Sequence, residues 1–378
     1  MAIFFSASIY CVKIAIISDT HVGYPRFYED SFTQAEAAFR DADAKADVIL
    51  FLGDLYDARV PSLQVLGRTI SFFRSLKTPI YAIHGNHERR SRGALNPVGL
   101  LEKAGLIKHL NFSSAVFEKD GERIFIAGMG NVPDDLAKAG IRRMAEEVEV
   151  PGDAFSILML HQSVKEFVFG EELLELSDLE KLGYSLVLDG HIHIRKEALG
   201  GKFLIPGSTV VTQLTKEETN PRGYYVYYTK EMKHEFVPIP CRKFIFEELE
   251  FTDAKLGEVQ GKVGELSAAL RKENPDAIIK IRLKGTLERG LRTSDVILAE
   301  DGSLFIDNKL NEHIIRSDLK AIREMREKKL SVREMSEARI REKLKGKITL
   351  FEPSELFEAL STGAEEAMAY IHERMKAG

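Results

Sequence analysis

Six short apolar runs constrain this chain more than any other feature: KIAIIS from Lys13, DVILFL from Asp47, PIYAIH from Pro79, RIFIAG from Arg123, FSILML from Phe155 and SLVLD from Ser185. Amphipathic, alanine- and leucine-rich stretches separate several of them, among them SFTQAEAAFRDADAKA (31–46) and SLQVLGRTISFFRSL (62–76). Strand, helix, strand alternation predicts an α/β domain with buried strands. From about residue 200 the texture changes to KFLIPGST, GYYVYYT and KHEFVPIP, strands without intervening helices. These predict a second sheet that completes a sandwich covered by helices.

A chain of 378 residues is long for one core and predicts two or three domains. The first would span residues 1–240. Past Pro238–Pro240, FIFEELEF, the helical GEVQGKVGELSAALRKE, AIIKIRLKG and SLFIDNKL read as a small α/β domain over 241–314. The remainder, 315–378, is charged and helical, with Ser331 and Glu334 placed as a capping box. Leu356, Leu360, Ala364, Ala367, Ile371 and Met375 share one face of a helix, or of two short helices broken near Gly363. A small domain has little room to bury so much apolar surface, and a helix laid into a partner is a recurrent recognition mode. The acidic last stretch disfavours a membrane surface instead.

The net charge of −5 carries no global signature of nucleic-acid binding, although a groove can be locally positive in an acidic protein. Cys11 and Cys241, far apart and outside any CxxC, argue against a disulfide framework or a thiolate zinc site and point to an intracellular, cytoplasmic protein. The apolar N-terminus lacks a basic leading region and is interrupted by Lys13, so VKIAIIS reads as a first buried strand rather than a signal or anchor. Residues 1–11 read equally as an extra strand or an upstream start.

Five of the apolar runs end in polar residues of one chemical kind. They lead into Asp19-Thr20-His21, Gly53-Asp54-Leu55-Tyr56-Asp57, Gly85-Asn86-His87-Glu88, His161-Gln162, and Gly190-His191-Ile192-His193. The carboxyl ends of strands in an open α/β sheet are where ligands bind, so residues scattered from 19 to 193 can converge on one crevice. Carboxylates, imidazoles and one amide, without thiolates, suit Mn²⁺, Fe²⁺, Zn²⁺ or Mg²⁺. There are too many for one ion, and they fit a pair of ions ~3.5–4 Å apart that activates a water. In an extended segment His191 and His193 would point the same way, with Gly190 leaving the backbone free to turn. The competing reading, a set of helix caps and turns, suits any single motif but not five coordinated ones.

The ordered set D-x-H, GD-x-x-D, GNHE, H and GHIH resembles the calcineurin-like metallophosphoesterase superfamily. The resemblance implies a four-layer αββα sandwich and two ions. It implies Asp19, His21, Asp54 and His193 on one ion, and Asp54, Asn86, His161 and His191 on the other, with Asp54 bridging. His87 is then free of metal and suited to protonating a leaving alkoxide or stabilising developing charge.

DLYDARVPS, GNHERRSRG and IPGSTVVTQLTKEE followed by RGYYVYY resemble the SbcD/Mre-eleven type of DNA double-strand-break repair nuclease, especially its archaeal branch. That resemblance implies a manganese-dependent DNA endo- and exonuclease with a capping domain. It also implies a tail gripping an SMC-like ATPase of the SbcC/Rad-fifty type, and a homodimer formed by helices in the region of Leu63, Leu66, Ile70, Phe73, Leu95, Leu100 and Leu101. Burial of those residues under the sheet is the alternative. Asp57 departs from the archaeal pattern, which often has histidine there, and is left outside the catalytic set. Arg59, Arg89, Arg90 and Arg92 follow directly on metal motifs and are candidates for backbone-phosphate contacts, against the alternative of ordinary loop arginines. Tyr224, Tyr225, Tyr227 and Tyr228 read as alternating strand residues, half of them core, rather than stacking platforms. A small-molecule phosphodiesterase remains the rival enzyme class.

Overall fold

Residues two apart in a strand share a face, so an apolar run with no polar alternation must be covered on both sides. The computed structural model, which describes residues 11–90, 94–312, 337, 340 and 351–377, meets that demand with two six-stranded sheets. The first is built around β1 (Lys13–Ile17), followed in order by β2 (Val48–Phe51), β3 (Ile80–Ala82) and β4 (Lys108–His109), all parallel. The second carries β5 (Ser113–Lys119), β6 (Glu122–Met129), β7 (Phe155–Leu160), β8 (Leu186–Asp189), β9 (Lys196–Ala198) and β10 (Phe203–Ile205), in the order β5-β6-β7-β8-β10-β9.

The period of two sorts the strand residues into layers. Ile14 and Ile16 of β1 and Leu50 of β2 pack with Ile157 and Met159 of β7 and with Leu186 and Leu188 of β8, filling the space between the sheets. Their neighbours Ala15, Ile17, Ile49 and Phe51 face the other way, onto α1 (Tyr28–Lys45), α2 (Leu63–Phe73) and α3 (Pro97–Lys103). Leu158, Leu160 and Val187 pack with residues of α4 (Asp134–Glu147) and α5 (Leu176–Glu180). The result is the expected four-layer αββα sandwich. Local signals set the helix starts: Ser62 caps α2 by accepting the Val65 N–H at 3.3 Å, and Asn96 caps α3 ahead of Pro97 by accepting that of Gly99 at 2.6 Å.

Of the late strands, β10 joins the second sheet as expected, and the hairpin that follows does not. β11 (Gly223–Tyr228) pairs antiparallel with β1, and β12 (Lys233–Pro238) extends it, so this hairpin completes the first sheet rather than forming the second. The second sheet draws its core strands from residues 122–189, whose runs are apolar on both faces. Because β11 is an interior strand, Tyr224, Tyr225 and Tyr227 are all buried, and only Tyr228 is partly exposed.

The described residues form two compact units. One comprises residues up to Glu248 with Val263–Arg282 and Ala299–Asp307; the other comprises Leu249–Lys262, Leu283–Leu298 and the chain from Asn308. Beyond residue 240 the elements are β13 (Phe244–Ala254), α6 (Leu256–Glu273), β14 (Ile278–Leu287) and β15 (Leu304–Asn311), with the strands in the order β13-β14-β15. The tail takes the broken form of its two alternatives: α7 (Pro353–Thr362) and α8 (Ala364–Ala377) flank Gly363. They fold back on each other, Tyr370 Oη donating to Glu355 at 3.0 Å and Arg374 pairing with the same carboxylate at 2.6 Å. Ser331 and Glu334 lie outside the described residues. No helix among the described residues is long and apolar enough to cross a membrane.

Phe39 is fully buried between α1 and the first sheet, its ring 5.6 Å from Phe51 and 5.0 Å from Phe73. Phe39→Ala is expected to cost about 3–5 kcal/mol in urea-unfolding measurements, because a close-packed aromatic cluster collapses only partly around the void. A loss below about 1 kcal/mol would contradict this packing.

Candidate metal centre

Five strand ends converge as the motifs require. β1 delivers Asp19 and His21, β2 Asp54, β3 Asn86 and His87, β7 His161, and β8 leads to His191 and His193. Asp19 Oδ1 lies 3.7 Å from His193 Nε2 and 4.0 Å from both His21 Nε2 and His161 Nε2. Asp54 Oδ2 lies 3.3 Å from His161 Nε2 and 3.8 Å from His21 Nε2. Asn86 Oδ1 sits 3.1 Å from His161 Nε2 and 2.9 Å from His191 Nδ1. Two imidazole groups result, His21 with His193 and His161 with His191, and both carboxylates stand between them.

The segment holding His191 and His193 is not extended. β8 ends at Asp189, Ile192 N–H donates to the Gly190 carbonyl at 2.8 Å, and His191 has φ 71°. The tight turn sends the two rings apart, His191 to Asn86 and His161, His193 to His21 and Asp19. Asp19, His21 and Asp54 also have positive φ, at 50°, 43° and 53°. Left-handed backbone at four non-glycine residues of one site is strain that the surrounding structure holds in place. Glycine is needed where these turns meet: a Cβ on Gly190 would lie 2.6 Å from His161 Nδ1 and 2.5 Å from the Leu52 carbonyl, and one on Gly85 2.0 Å from Asp54 Oδ1.

The donors are aimed by their outer bonds. His161 Nδ1 donates to the Leu52 carbonyl at 2.6 Å and His193 Nδ1 bonds Thr212 Oγ1 at 2.5 Å, which leaves each Nε2 facing the carboxylates. Tying back one ring nitrogen in this way is how proteins orient metal-binding imidazoles. Although burial disfavours its charge, Asp54 and Asp19 push His161 up to about 10. Burial likewise opposes ionisation of Asp54, yet His161, His21 and His87 hold it well below the usual carboxylate range. Two buried carboxylates with imidazoles, and no lysine or arginine paired to them among the described residues, draw positive charge inward. Among the described residues three sets of donors bring their atoms within 4.8 Å of one another: Asp19–His21–His193, Asp19–Asp54–His161 and His21–Asp57–His87. Hard oxygens with borderline nitrogens fit divalent cations such as Mn²⁺ or Fe²⁺.

His87 donates its backbone N–H to Asp54 Oδ1 at 3.0 Å, its Nδ1 is bonded to the Asp57 carbonyl, and its ring lines the cleft above the donors. Asp57 also places Oδ1 3.5 Å from His21 Nδ1. The arginines divide. Arg59 is exposed, and Arg90 lies along the carbonyls of Glu88 and Arg89; burial first, and then the nearby Arg59 charge, lowers its pKa. Arg89 instead turns inward and bonds Asn131 Oδ1 at 2.7 Å, while Asn131 Nδ2 donates to the His161 carbonyl at 2.8 Å. Arg92 lies outside the described residues.

Several residues that position the donors had no assigned role. Glu88 is fully buried and accepts the backbone N–H groups of Asp54 (3.1 Å), Tyr56 (2.8 Å) and Gly85 (2.8 Å), tying the second and third motifs together. Burial, then the Asp54 charge, pushes it up to about 7. Glu218 accepts from the N–H groups of Thr212, Gln213 and Thr215, and Arg222, 3.2 Å from it, donates to the His193 carbonyl at 2.8 Å. Their signal was the acid in GNHE and the charges in TKEE and RGYY, which position donors rather than supply them. Glu88→Gln would turn an amide NH₂ towards backbone donors. It is expected to weaken Mn²⁺ binding by about 10–100-fold in titration calorimetry and to cost about 1–3 kcal/mol of stability. Unchanged affinity would show that Glu88 does not brace the donors.

The calcineurin-like phosphoesterase family matches residues 12–195, a span holding every donor described above. The chain is 25% identical over 345 residues to the double-strand break repair protein MRE11 of Encephalitozoon cuniculi, covering 79% of this chain and 57% of that one. It is 27% identical over 331 residues to the DNA double-strand break repair protein Mre11 of Archaeoglobus fulgidus, covering 75% and 73%. With the protein of the same name from Saccharolobus solfataricus it shares 32% identity over 199 residues, covering 49% and 50%. The match thus spans little more than half the length of the first of these relatives and half of the last. Residues 12–195, whose parallel strands end in this donor cluster, are matched by that family and form a calcineurin-like metallophosphoesterase domain.

Proposed function

We propose that this chain is a metal-dependent phosphodiesterase that cleaves DNA, with exo- and endonuclease activity on strand ends and single strands, in double-strand-break repair. The observation that carries the reading is the convergence of Asp19, His21, Asp54, Asn86, His161, His191 and His193 beneath His87, in a chain similar to Mre11 repair proteins. Two Mn²⁺ ions are the proposed occupants, with Asp19, His21 and His193 on one side, Asn86, His161 and His191 on the other, and Asp54 between. When bound, such ions polarise the phosphodiester and lower the pKa of water.

The chain's own groups do the rest. His87 is bonded through Nδ1, so its ring can deliver a proton only from Nε2, towards the leaving oxygen. Asp57, 3.5 Å from His21 Nδ1, stands beside that ligand's ring and is left outside the groups proposed to act on the substrate. Arg59 and Arg90 are the proposed contacts to backbone phosphates, whereas Arg89 braces His161 through Asn131.

The wider organisation is proposed on the same resemblance. Residues 241–314 serve as a capping, DNA-binding domain, and residues 315–378 dock an SMC-like ATPase. A homodimer would use the exposed part of the α2–α3 surface. There Leu63 and Leu95 are 87% and 51% exposed, whereas Phe73 and Leu101 are buried and Leu66 and Ile70 pack against the core.

Oligonucleotide DNA and bis-p-nitrophenyl phosphate, compared as substrates with Mn²⁺ and with chelator, separate a nuclease from a small-molecule phosphodiesterase. A nuclease is expected to cleave the DNA with the higher kcat/KM. In the same assay His87→Asn should lower cleavage by about 10²–10⁴-fold while Mn²⁺ binding persists, and Asp54→Asn should abolish binding itself. Loss of metal from His87→Asn would contradict its assignment as a proton donor.

A further inference from the structure

The cleft over the donor cluster, about 490 Å³ in volume, is lined by two chemically different sets of residues. Asp54, Asn86 and the histidines supply the polar floor, and Gln213 and Glu217 add to the polar lining. Phe167, Val168, Ile192 and Ile194 supply an apolar wall, with Lys196 beside it. Holding and hydrolysing a phosphodiester explains the floor but not the wall, whose residues pack on the core behind them yet also line the cleft.

The wall is a built surface. Phe167 and Val168 sit on the segment between His161 and α5, which is closed by the Val164–Leu174 bridge and by the Lys165 N–H donating to the Leu174 carbonyl at 2.9 Å. The Phe167 N–H donates back to the Val164 carbonyl at 2.9 Å. Its ring stacks on Phe203 of β10, centroids 5.9 Å apart and planes 20° apart, so its orientation is set from the core side. Phe167 and Val168 remain partly exposed, and Phe169, one residue beyond, is fully exposed.

In a duplex the bases are stacked and paired, and only sugar and phosphate reach a cleft of this kind. An aromatic and aliphatic wall beside the scissile position instead complements the π-face of a base that has left the stack. We propose that Phe167, flanked by Val168, is the platform for the unpaired base next to the scissile phosphate, with Lys196 answering a neighbouring phosphate. The wall would make the site select single-stranded or frayed DNA. This rests on the reading of the chain as a DNA nuclease, and the ring belongs to the binding surface rather than to the reacting atoms.

A two-by-two comparison tests it. Single-stranded oligonucleotides with or without an abasic residue on either side of one scissile phosphate are cleaved by the full chain with Mn²⁺, and by Phe167→Leu and Phe167→Tyr. For the unaltered chain, removing the base should raise KM about tenfold with little change in kcat, as loss of base–aromatic stacking requires. In Phe167→Leu the same removal should change KM by less than about twofold, whatever the variant's own rate. Phe167→Tyr, which keeps the ring, should respond as the unaltered chain does. Leucine retains most of the volume packed on Phe203, and Val168→Asp probes the same wall should Phe167→Leu fail to fold. Equal sensitivity to base removal in all the proteins, or none in any, would overturn the platform while leaving the nuclease reading intact. Hydrolysis of bis-p-nitrophenyl phosphate without cleavage of either oligonucleotide would overturn the nuclease reading, and the platform with it.

Discussion

Two buried carboxylates at the ends of adjacent parallel strands set the terms for everything around them. Asp19 and Asp54 are almost inaccessible to solvent and stand within 4.0 Å of the same imidazole nitrogens. Burying two negative charges this close is expensive unless something positive answers them. The fold answers with four imidazoles, two of them, His161 and His193, tied back through Nδ1, and with an arrangement of donors that suits divalent cations. Left-handed backbone at Asp19, His21, Asp54 and His191, and glycines at 85 and 190 where a Cβ would collide, are the local cost of bringing them together. The sandwich absorbs that strain because the strands beneath are locked between two apolar layers.

The bracing that keeps the donors in register runs through the backbone. Glu88 holds the Asp54 loop to the Gly85 turn through three N–H groups, and Arg222 with Glu218 holds His193 to the loop that carries Thr212. Each brace joins segments distant in sequence, so losing one would shift a donor without removing it. These positions explain why a site assembled from both sheets can be rigid although every donor lies in a loop.

The layers and the donors were legible in the sequence for a simple physical reason: both depend on short-range pattern. Short unbroken apolar runs such as SILML, alternating with amphipathic stretches, suit strands covered on both faces, and acid, amide and imidazole at five run ends have few common uses. Pairing across long distances was not legible. Nothing in GYYVYY says that β11 will lie against β1 and bury three of its four tyrosines, because that choice is made by strand order, not by local pattern. Arg89 shows the same limit within the site. Its place after a metal motif suggests a phosphate contact, but only the fold brings Asn131 to its guanidinium. The turn at His191 was also hidden, since GHIH reads as an extended pair until Gly190 is seen pressed against Leu52 and His161.

The proposed pair of cations would sit side by side in one crevice, with Asp54 between them. Electron paramagnetic resonance of the chain titrated with Mn²⁺ tests that arrangement most directly. Two neighbouring ions bridged by a carboxylate should give an exchange-coupled signal that grows as the second equivalent is added and disappears with chelator. A simple six-line spectrum of isolated Mn²⁺, saturating at one equivalent per chain, would contradict it.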